Sequence, residues 1–394
     1  MPRPRFEVGQ IIRDWRSEFY AKYPVVPQVR KSFGAMAVCR TRALGGHVEV
    51  CPECGEIHVS YNSCRDRHCP KCQNKEREVW IEMRKEEIMP GVKYFHVVFT
   101  VPDCLHPIAM SRQALFYSCM FRAAWATLKK FFDAKGLQGG MTSILHTWGS
   151  NLFYHPHIHC IVTGGGVDKD GVWHSLDGCK GFAKDFLFPV RALSKVFRAK
   201  FLAMLTSALK NESECIPQEI RKKCMEKGWV VYSRPPAKGV NQVLEYIGRY
   251  AYRVAISNSR IKNYTADGMV TYEWKDYRHN SMHKQNTMHA VEFLHLFSLH
   301  ILPPALVRIR HYGLLSPSNR DKVRKVQIQL GGKPVPKERR KKSYQQICDE
   351  KGWKVGVCPH CKCRMIVIEI LKPSRAPPSE DISTRNNCLS ASLS

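Results

Sequence analysis

The chain has 394 residues, 44% of them hydrophobic, and carries 62 Lys+Arg against 34 Asp+Glu, a net charge of +28. That length and apolar content allow two or three globular parts with real cores, and the charge excess goes far beyond what solubility needs, which implies a polyanionic partner. Nucleic acid is favoured over an anionic membrane, because the basic residues are spread along the chain and no apolar run reaches bilayer-spanning length.

The opening Met-Pro-Arg-Pro-Arg-Phe-Glu has no apolar run of the secretory kind, so a cytosolic protein is expected. In that reducing compartment the 17 cysteines, an odd number, should be thiols and metal ligands rather than disulfides. The first part, residues 1–88, is expected to be a small Cys-rich zinc-binding domain whose metal block spans about 39–72. There Cys51-Pro-Glu-Cys54 and Cys69-Pro-Lys-Cys72 have the form of two zinc knuckles, separated by about the interval of a zinc ribbon. Cys64 is expected in the ligand set, and Cys39, His47, His58 and His68 lie close enough to substitute or to support a second ion.

Residues 89–315 are expected to form the catalytic domain. Tyr94 to Val101, rich in aromatic and β-branched residues and stopped by Pro102, predicts a buried strand. Ser111 to Phe132 predicts a helix ended by Gly136. Met141 to Trp148 and His157 to Thr163 predict two strands joined as a hairpin, the second halted by Gly164-Gly165-Gly166. A long helix from Pro189 to about Leu209, a strand over Trp229 to Ser233, a helix over Val240 to about Val254 and another over Met288 to Leu302 complete the reading. Strand pairs mixed with helices, without regular βαβ alternation, predict an α+β fold with an antiparallel sheet.

Two motifs in this domain carry chemistry. His157-Ile158-His159 on a strand projects both imidazoles from one face, ~6.6 Å apart along the chain, which is a clip for a divalent ion. Imidazole takes Mn²⁺ readily and Mg²⁺ less so. His146 on the neighbouring strand is the first candidate for a third ligand, with His155 and polar residues of the following helix behind it. Tyr246-Ile-Gly-Arg-Tyr250 on a helix stacks two phenols on one face, and Arg249 and Arg253 suit that face to phosphate. Residues 316–372 are expected to be a basic linker, including Lys337-Glu-Arg-Arg-Lys-Lys342, and a Cys-rich piece. The half site Cys358-Pro-His-Cys361 there needs Cys363, His360 or a distant partner to close around zinc. The tail, 373–394, has too little apolar content to fold.

The chain resembles the rolling-circle HUH transposases of the insertion sequence 91 family. The resemblance rests on Tyr61-Asn-Ser-Cys-Arg-Asp-Arg-His-Cys-Pro-Lys-Cys72, His96-Val-Val-Phe-Thr-Val-Pro102, His155-Pro-His-Ile-His-Cys-Ile-Val-Thr-Gly-Gly-Gly166, Tyr246-Ile-Gly-Arg-Tyr250 and Val307-Arg-Ile-Arg-His-Tyr-Gly313. It implies an HUH-type antiparallel sheet flanked by helices and an enzyme that nicks single DNA strands at the ends of its element. A 5′-phosphotyrosine link and a free 3′-OH would result, and a later step would rejoin the strands at a target. His157 and His159 carry over as ligands of Mg²⁺ or Mn²⁺, and Tyr246 and Tyr250 as nucleophiles. Arg308 and Arg310, in the late segment, join Arg249 and Arg253 as expected DNA contacts. No Gly-x-x-x-x-Gly-Lys-Ser/Thr loop is present, so no nucleotide cofactor is expected. The implied address is the bacterial cytoplasm, at the nucleoid. Two other readings compete: a plasmid replication initiator or relaxase with the same chemistry, and a non-catalytic zinc-ribbon DNA-binding protein.

Overall fold

A computed structural model describes residues 4–177, 187–234, 248, 250–277, 279–336, 338 and 342–374. The chain begins with helices α1 (Val8–Lys22) and α2 (Pro27–Ala37), the latter started by Pro27, whose fixed φ suits a first helical position. Strands β1 (Gly46–Val50) and β2 (Ile57–Tyr61) form an antiparallel pair, and α3 (Gln73–Lys85) leads to β3 (Tyr94–Thr100). After α4 (His106–Ser111) and α5 (Gln113–Asp133) come the expected hairpin strands β4 (Gly140–Trp148) and β5 (Tyr154–Thr163). The glycine run then enters a small pair, β6 (Gly165–Val167) with β7 (Trp173–Ser175). Helices α6 (Val190–Lys210) and α7 (Gln218–Glu226) precede β8 (Val231–Arg234). A meander β9 (Ile261–Tyr264), β10 (Met269–Asp276), β11 (Met282–His289) feeds α8 (Ala290–Ser298). The chain continues through β12 (Ile309–Gly313), α9 (Arg320–Gln329), α10 (Tyr344–Glu350) and β13 (Ile366–Leu371).

The central sheet runs β12-β4-β5-β3-β8, every neighbour antiparallel. Side chains alternate faces along a strand, and the sheet sorts its chemistry that way. Phe95, Val97 and Phe99 of β3, Ile158, Cys160 and Val162 of β5, and Met141 and Leu145 of β4 all point into one core. α5 and α6 cover that side with Phe116, Met120, Leu128, Phe197 and Phe201, residues at helical spacing. Removing one buried Phe such as Phe99 costs about 3–5 kcal/mol. The opposite face carries His96, Ile144, His146, His157, His159 and Ile161. The fold is therefore α+β, an antiparallel sheet flanked by helices and preceded by a Cys-rich segment.

A second core joins the two ends of the protein's first 300 residues. Val8, Ile11, Ile12, Phe19 and Phe33 of α1 and α2 pack with Ile261, Val270, Tyr272, Phe293 and Phe297. Two elements differ from expectation. The helix expected over Met288 to Leu302 starts only at Ala290, because β11 pairs with β10 as far as His289, whose ring accepts the Val291 N–H as an N-cap. The meander was not expected: Val270, Tyr272 and Trp274 alternate along β10 as on a half-buried strand, but β11 has only Met282 and Met288 among polar residues. Most of the helix expected over Val240 to Val254 lies outside the described residues; Gly248, Tyr250 and Ala251 are helical. Among the described residues no helix is long and apolar enough to cross a membrane.

Candidate active site and metal centres

His146 sits opposite His157 in the β4–β5 ladder, and His159 lies two residues further along β5, so register alone places three imidazoles on one face. Their ligand nitrogens all lie within 4.8 Å of one another. Each ring is aimed by a hydrogen bond. His157 donates from Nδ1 to the His155 carbonyl at 2.6 Å, which leaves its Nε2 with the lone pair. That Nε2 is 3.1 Å from His159 Nε2. His159 in turn shares its Nδ1 with His96 Nε2 at 2.9 Å. His146 donates from Nε2 to the Tyr250 carbonyl at 2.8 Å, so Nδ1 is its free ligand atom. His146 and His159 are only 2% and 8% exposed.

Burial, followed by the charge of neighbouring histidines, holds His146 and His159 well below the usual imidazole range. Burial and then His155 bring His157 down to about 4. Three neutral imidazoles with converging lone pairs are what a borderline or hard divalent cation needs, with oxygen ligands from phosphate and water to complete its shell. The Tyr250 ring lies against this group, 4.2 Å from the His159 ring between centroids and 5.5 Å from that of His96. Arg253, exposed, lies close enough for its charge to act on all three histidines. Tyr246 and Arg249 lie outside the described residues.

The cysteines divide differently from a ribbon that pairs Cys51/Cys54 with Cys69/Cys72. Cys69 and Cys72 join Cys39 and Cys64, and Cys51 and Cys54 join Cys358 and Cys361. The reason is local: Cys72 immediately precedes α3 and lies 3.4 Å from Cys39, two residues beyond α2, whereas the β1–β2 turn points the first knuckle away toward the C-terminal piece. In the first cluster hydrogen bonds from Cys39, then Cys64 and Cys69, push the Cys72 thiol far down toward thiolate, the form that binds metal. His68 is no ligand; its Nδ1 lies 3.1 Å from Asp66 and its Nε2 accepts the Leu302 N–H at 3.0 Å. His47 and His58 face Glu49, and His360 faces Glu56. Cys363 stays outside both sets.

A family model described as "Transposase zinc-binding domain" matches residues 11–101, and one described as "Putative transposase" matches residues 140–323. A protein from Sinorhizobium fredii named "Putative transposase y4qJ" is 40% identical over 96% of this chain and 98% of its own length. The chain belongs to the insertion sequence 91 family of transposases. The transposase for insertion sequence element IS801, from Pseudomonas savastanoi pv. phaseolicola, is 29% identical over 71% of this chain and 68% of its own. No solved structure matches. As a transposase of this type the protein has DNA as its partner and carries a zinc-binding domain in its N-terminal part.

Arg308 of the transposase is not available to DNA. It is 9% exposed and donates to the carbonyls of Ala251 at 2.7 Å and Arg253 at 3.2 Å, holding the chain that leaves Tyr250. Burial brings its pKa down to about 10. Arg310 is half-buried, its guanidinium over the Phe121 ring at 4.3 Å and 3.3 Å from the Ser118 hydroxyl. Two functional positions escaped the sequence reading. His96 was legible as the one imidazole in an otherwise apolar strand, a group that must find a buried partner. Arg67 left no such signal: its guanidinium grips the carbonyls of Leu306 and Pro303 at 2.6 and 2.7 Å, between two zinc-cluster cysteines.

Proposed function

We propose that the protein is an HUH-type single-strand endonuclease and strand transferase, with His157, His159 and His146 as ligands of Mn²⁺ or Mg²⁺ and Tyr246 and Tyr250 as nucleophiles. The observation that carries the reading is the placement of Tyr250, its ring against His159 and its carbonyl bonded to His146. In the sequence Tyr246 precedes Tyr250 by four residues, the interval that a helix would stack on one face. When bound, the ion would polarise the scissile phosphate and offset the weak nucleophilicity of a phenol.

In the nicking step the tyrosine oxygen attacks phosphorus, a P–O(Tyr) bond forms and the P–O3′ bond breaks. The phenol loses its proton to solvent and the departing 3′-oxygen gains one, so a free 3′-OH and a 5′-phosphotyrosine result. The ester conserves the energy of the broken bond, and rejoining reverses these events without a nucleotide. Arg253 is the residue of this face placed to meet a phosphate. DNA affinity comes from the wider basic surface, in keeping with the +28 charge.

Labelled single strands from the flanks of the gene, incubated with the protein and Mn²⁺, should give a protein–DNA adduct that survives boiling in detergent. Replacing His157 and His159 together with Ala should abolish it while DNA binding stays within a few-fold. An adduct formed equally well by that double variant would refute the metal assignment.

A further inference from the structure

Cys51 and Cys54 lie in the turn between β1 and β2; Cys358 and Cys361 come from the far end of the chain, 310 residues away for the pair Cys51 and Cys361. Their sulfurs are 3.2 Å apart for Cys51 and Cys361, 3.5 Å for Cys54 and Cys358, and 3.7 Å for Cys54 and Cys361. Tetrahedral zinc with Zn–S of ~2.3 Å places its sulfurs about 3.8 Å apart, close to this arrangement. The two halves are built alike. Each reads Cys-Pro-x-Cys, and each is followed by a residue in the left-handed region, Gly55 at φ 73° and Lys362 at φ 66°. In both, that residue's N–H returns to the carbonyl of the first cysteine, at 3.0 and 3.2 Å. The His360 N–H also points at the Cys358 sulfur, 3.4 Å away, as amides do toward thiolates.

Packing does not account for this junction. Among the described residues its core consists of Cys51, Cys358 and Met365, with Cys363 against them. β13 pairs with β1, yet Ile366, Val367, Ile368 and Ile370 remain 53%, 51%, 58% and 79% exposed. A strand that buries so little side chain is not held by the hydrophobic effect, and a core of three residues does not fold unaided.

We propose that the chain binds a second zinc ion through four thiolates, those of Cys51 and Cys54 inside the segment matched as the zinc-binding domain and those of Cys358 and Cys361 far outside it. Four thiols release four protons to solvent as the ion binds. The ion staples residues 342–371 onto the N-terminal part. The stapled strap braces α3: Lys351 pairs with Glu78 at 2.5 Å, and Tyr344 lies 5.5 Å beneath the Lys75 ammonium. α3 in turn supports the tyrosine turn, with Trp80 against Tyr252 and Ile81 so close to Gly248 that an added Cβ would meet it at 2.3 Å.

The test is metal and thiol counting on the full-length protein purified without chelator, a readout separate from the DNA chemistry. Two zinc ions per chain are expected, with all 17 thiols titratable after denaturation in chelator without reductant. Cys358→Ser/Cys361→Ser should retain one ion and become cleavable by protease in the strap. One ion in the unaltered protein, or four missing thiols in place of the second ion, would overturn the proposal. Because the decisive count is made on the unaltered chain, misfolding of the variant does not blunt it.

Discussion

His146 and Tyr250, 104 residues apart in sequence, are tied by a hydrogen bond of 2.8 Å from imidazole Nε2 to the main-chain carbonyl. The bond does two things at once. It selects the tautomer that frees Nδ1 of His146, and it fixes the backbone of the tyrosine turn against the histidine face. Arg308 secures the same turn one and three residues later.

Arg308 and Arg253 should therefore fail differently. Arg308→Met leaves the buried Ala251 carbonyl and the part-buried Arg253 carbonyl without their donor, at a cost of about 2–3 kcal/mol, and lets the chain after Tyr250 drift. Adduct formation should fall about 100-fold with the salt dependence of DNA binding unchanged, because Arg308 touches no phosphate. Arg253→Ala should instead flatten the log–log salt slope on single strands by about 0.7. Binding isotherms across a salt series, run beside adduct rates, separate the two; a flattened slope for Arg308→Met would count against its interior role.

His96 is expected to act through His159. Replacing it with Phe removes the partner of His159 Nδ1 and should weaken Mn²⁺ binding about 10–100-fold, as losses of such supporting bonds do. Calorimetric titration of Mn²⁺ reads this directly, and His96→Gln should recover part of it. Unchanged affinity in His96→Phe would show the contact to be packing alone.

Much of this arrangement was legible in the sequence, and the limits have physical causes. Strand alternation put His157 and His159 on one face, and hairpin logic brought His146 to them, because both are local properties of the backbone. The cysteine pairing was not local. Knuckle spacing identifies ligands in pairs but says nothing about which pairs meet, and here the partner of Cys51 stands 310 residues away. Arg308 was misread for a related reason: composition cannot distinguish an arginine that meets phosphate from one that caps main-chain carbonyls. The β9–β11 meander escaped although Val270, Tyr272 and Trp274 alternate along β10, because β11 lacks such a pattern to mark it as the partner strand. Tyr246, Arg249 and Arg339 to Lys341 fall outside the described residues, so the second nucleophile and the basic block stand on sequence.

Acid should destabilise the fold in part through His300. It is buried, donates to the Leu152 carbonyl at 2.8 Å, and burial brings its pKa down to about 4. Above an unfolded value of about 6.5 neither state is protonated and the group contributes nothing. Below it the unfolded chain takes a proton that the folded one refuses, so stability falls by about 1.4 kcal/mol per pH unit until pH reaches about 4. Denaturant melts of wild type and His300→Gln between those limits should diverge with that slope. Parallel curves would contradict it.

The cluster of Cys39, Cys64, Cys69 and Cys72 has a reach beyond its own domain. Its loop carries Arg67 and His68, which hold residues 302–306 just before β12 and Arg308. Cys69→Ser should lower nicking of even a short bare strand more than Cys54→Ser does, because the second cluster reaches the tyrosine segment only through α3. Parallel gel-shift and adduct assays of the two variants check the contrast, and equal nicking by Cys69→Ser and wild type would remove the coupling.

The central claim is that Tyr246 or Tyr250 becomes esterified to DNA. Its most direct test is mass spectrometry of peptides from the trapped adduct, made with wild type and with each Tyr→Phe variant. The nucleotide should be found on Tyr246 or Tyr250, at least one single variant should still form the adduct, and Tyr246→Phe/Tyr250→Phe should form none. A nucleotide on Tyr252, which is packed against Trp80, or an adduct persisting in the double variant, would contradict the account.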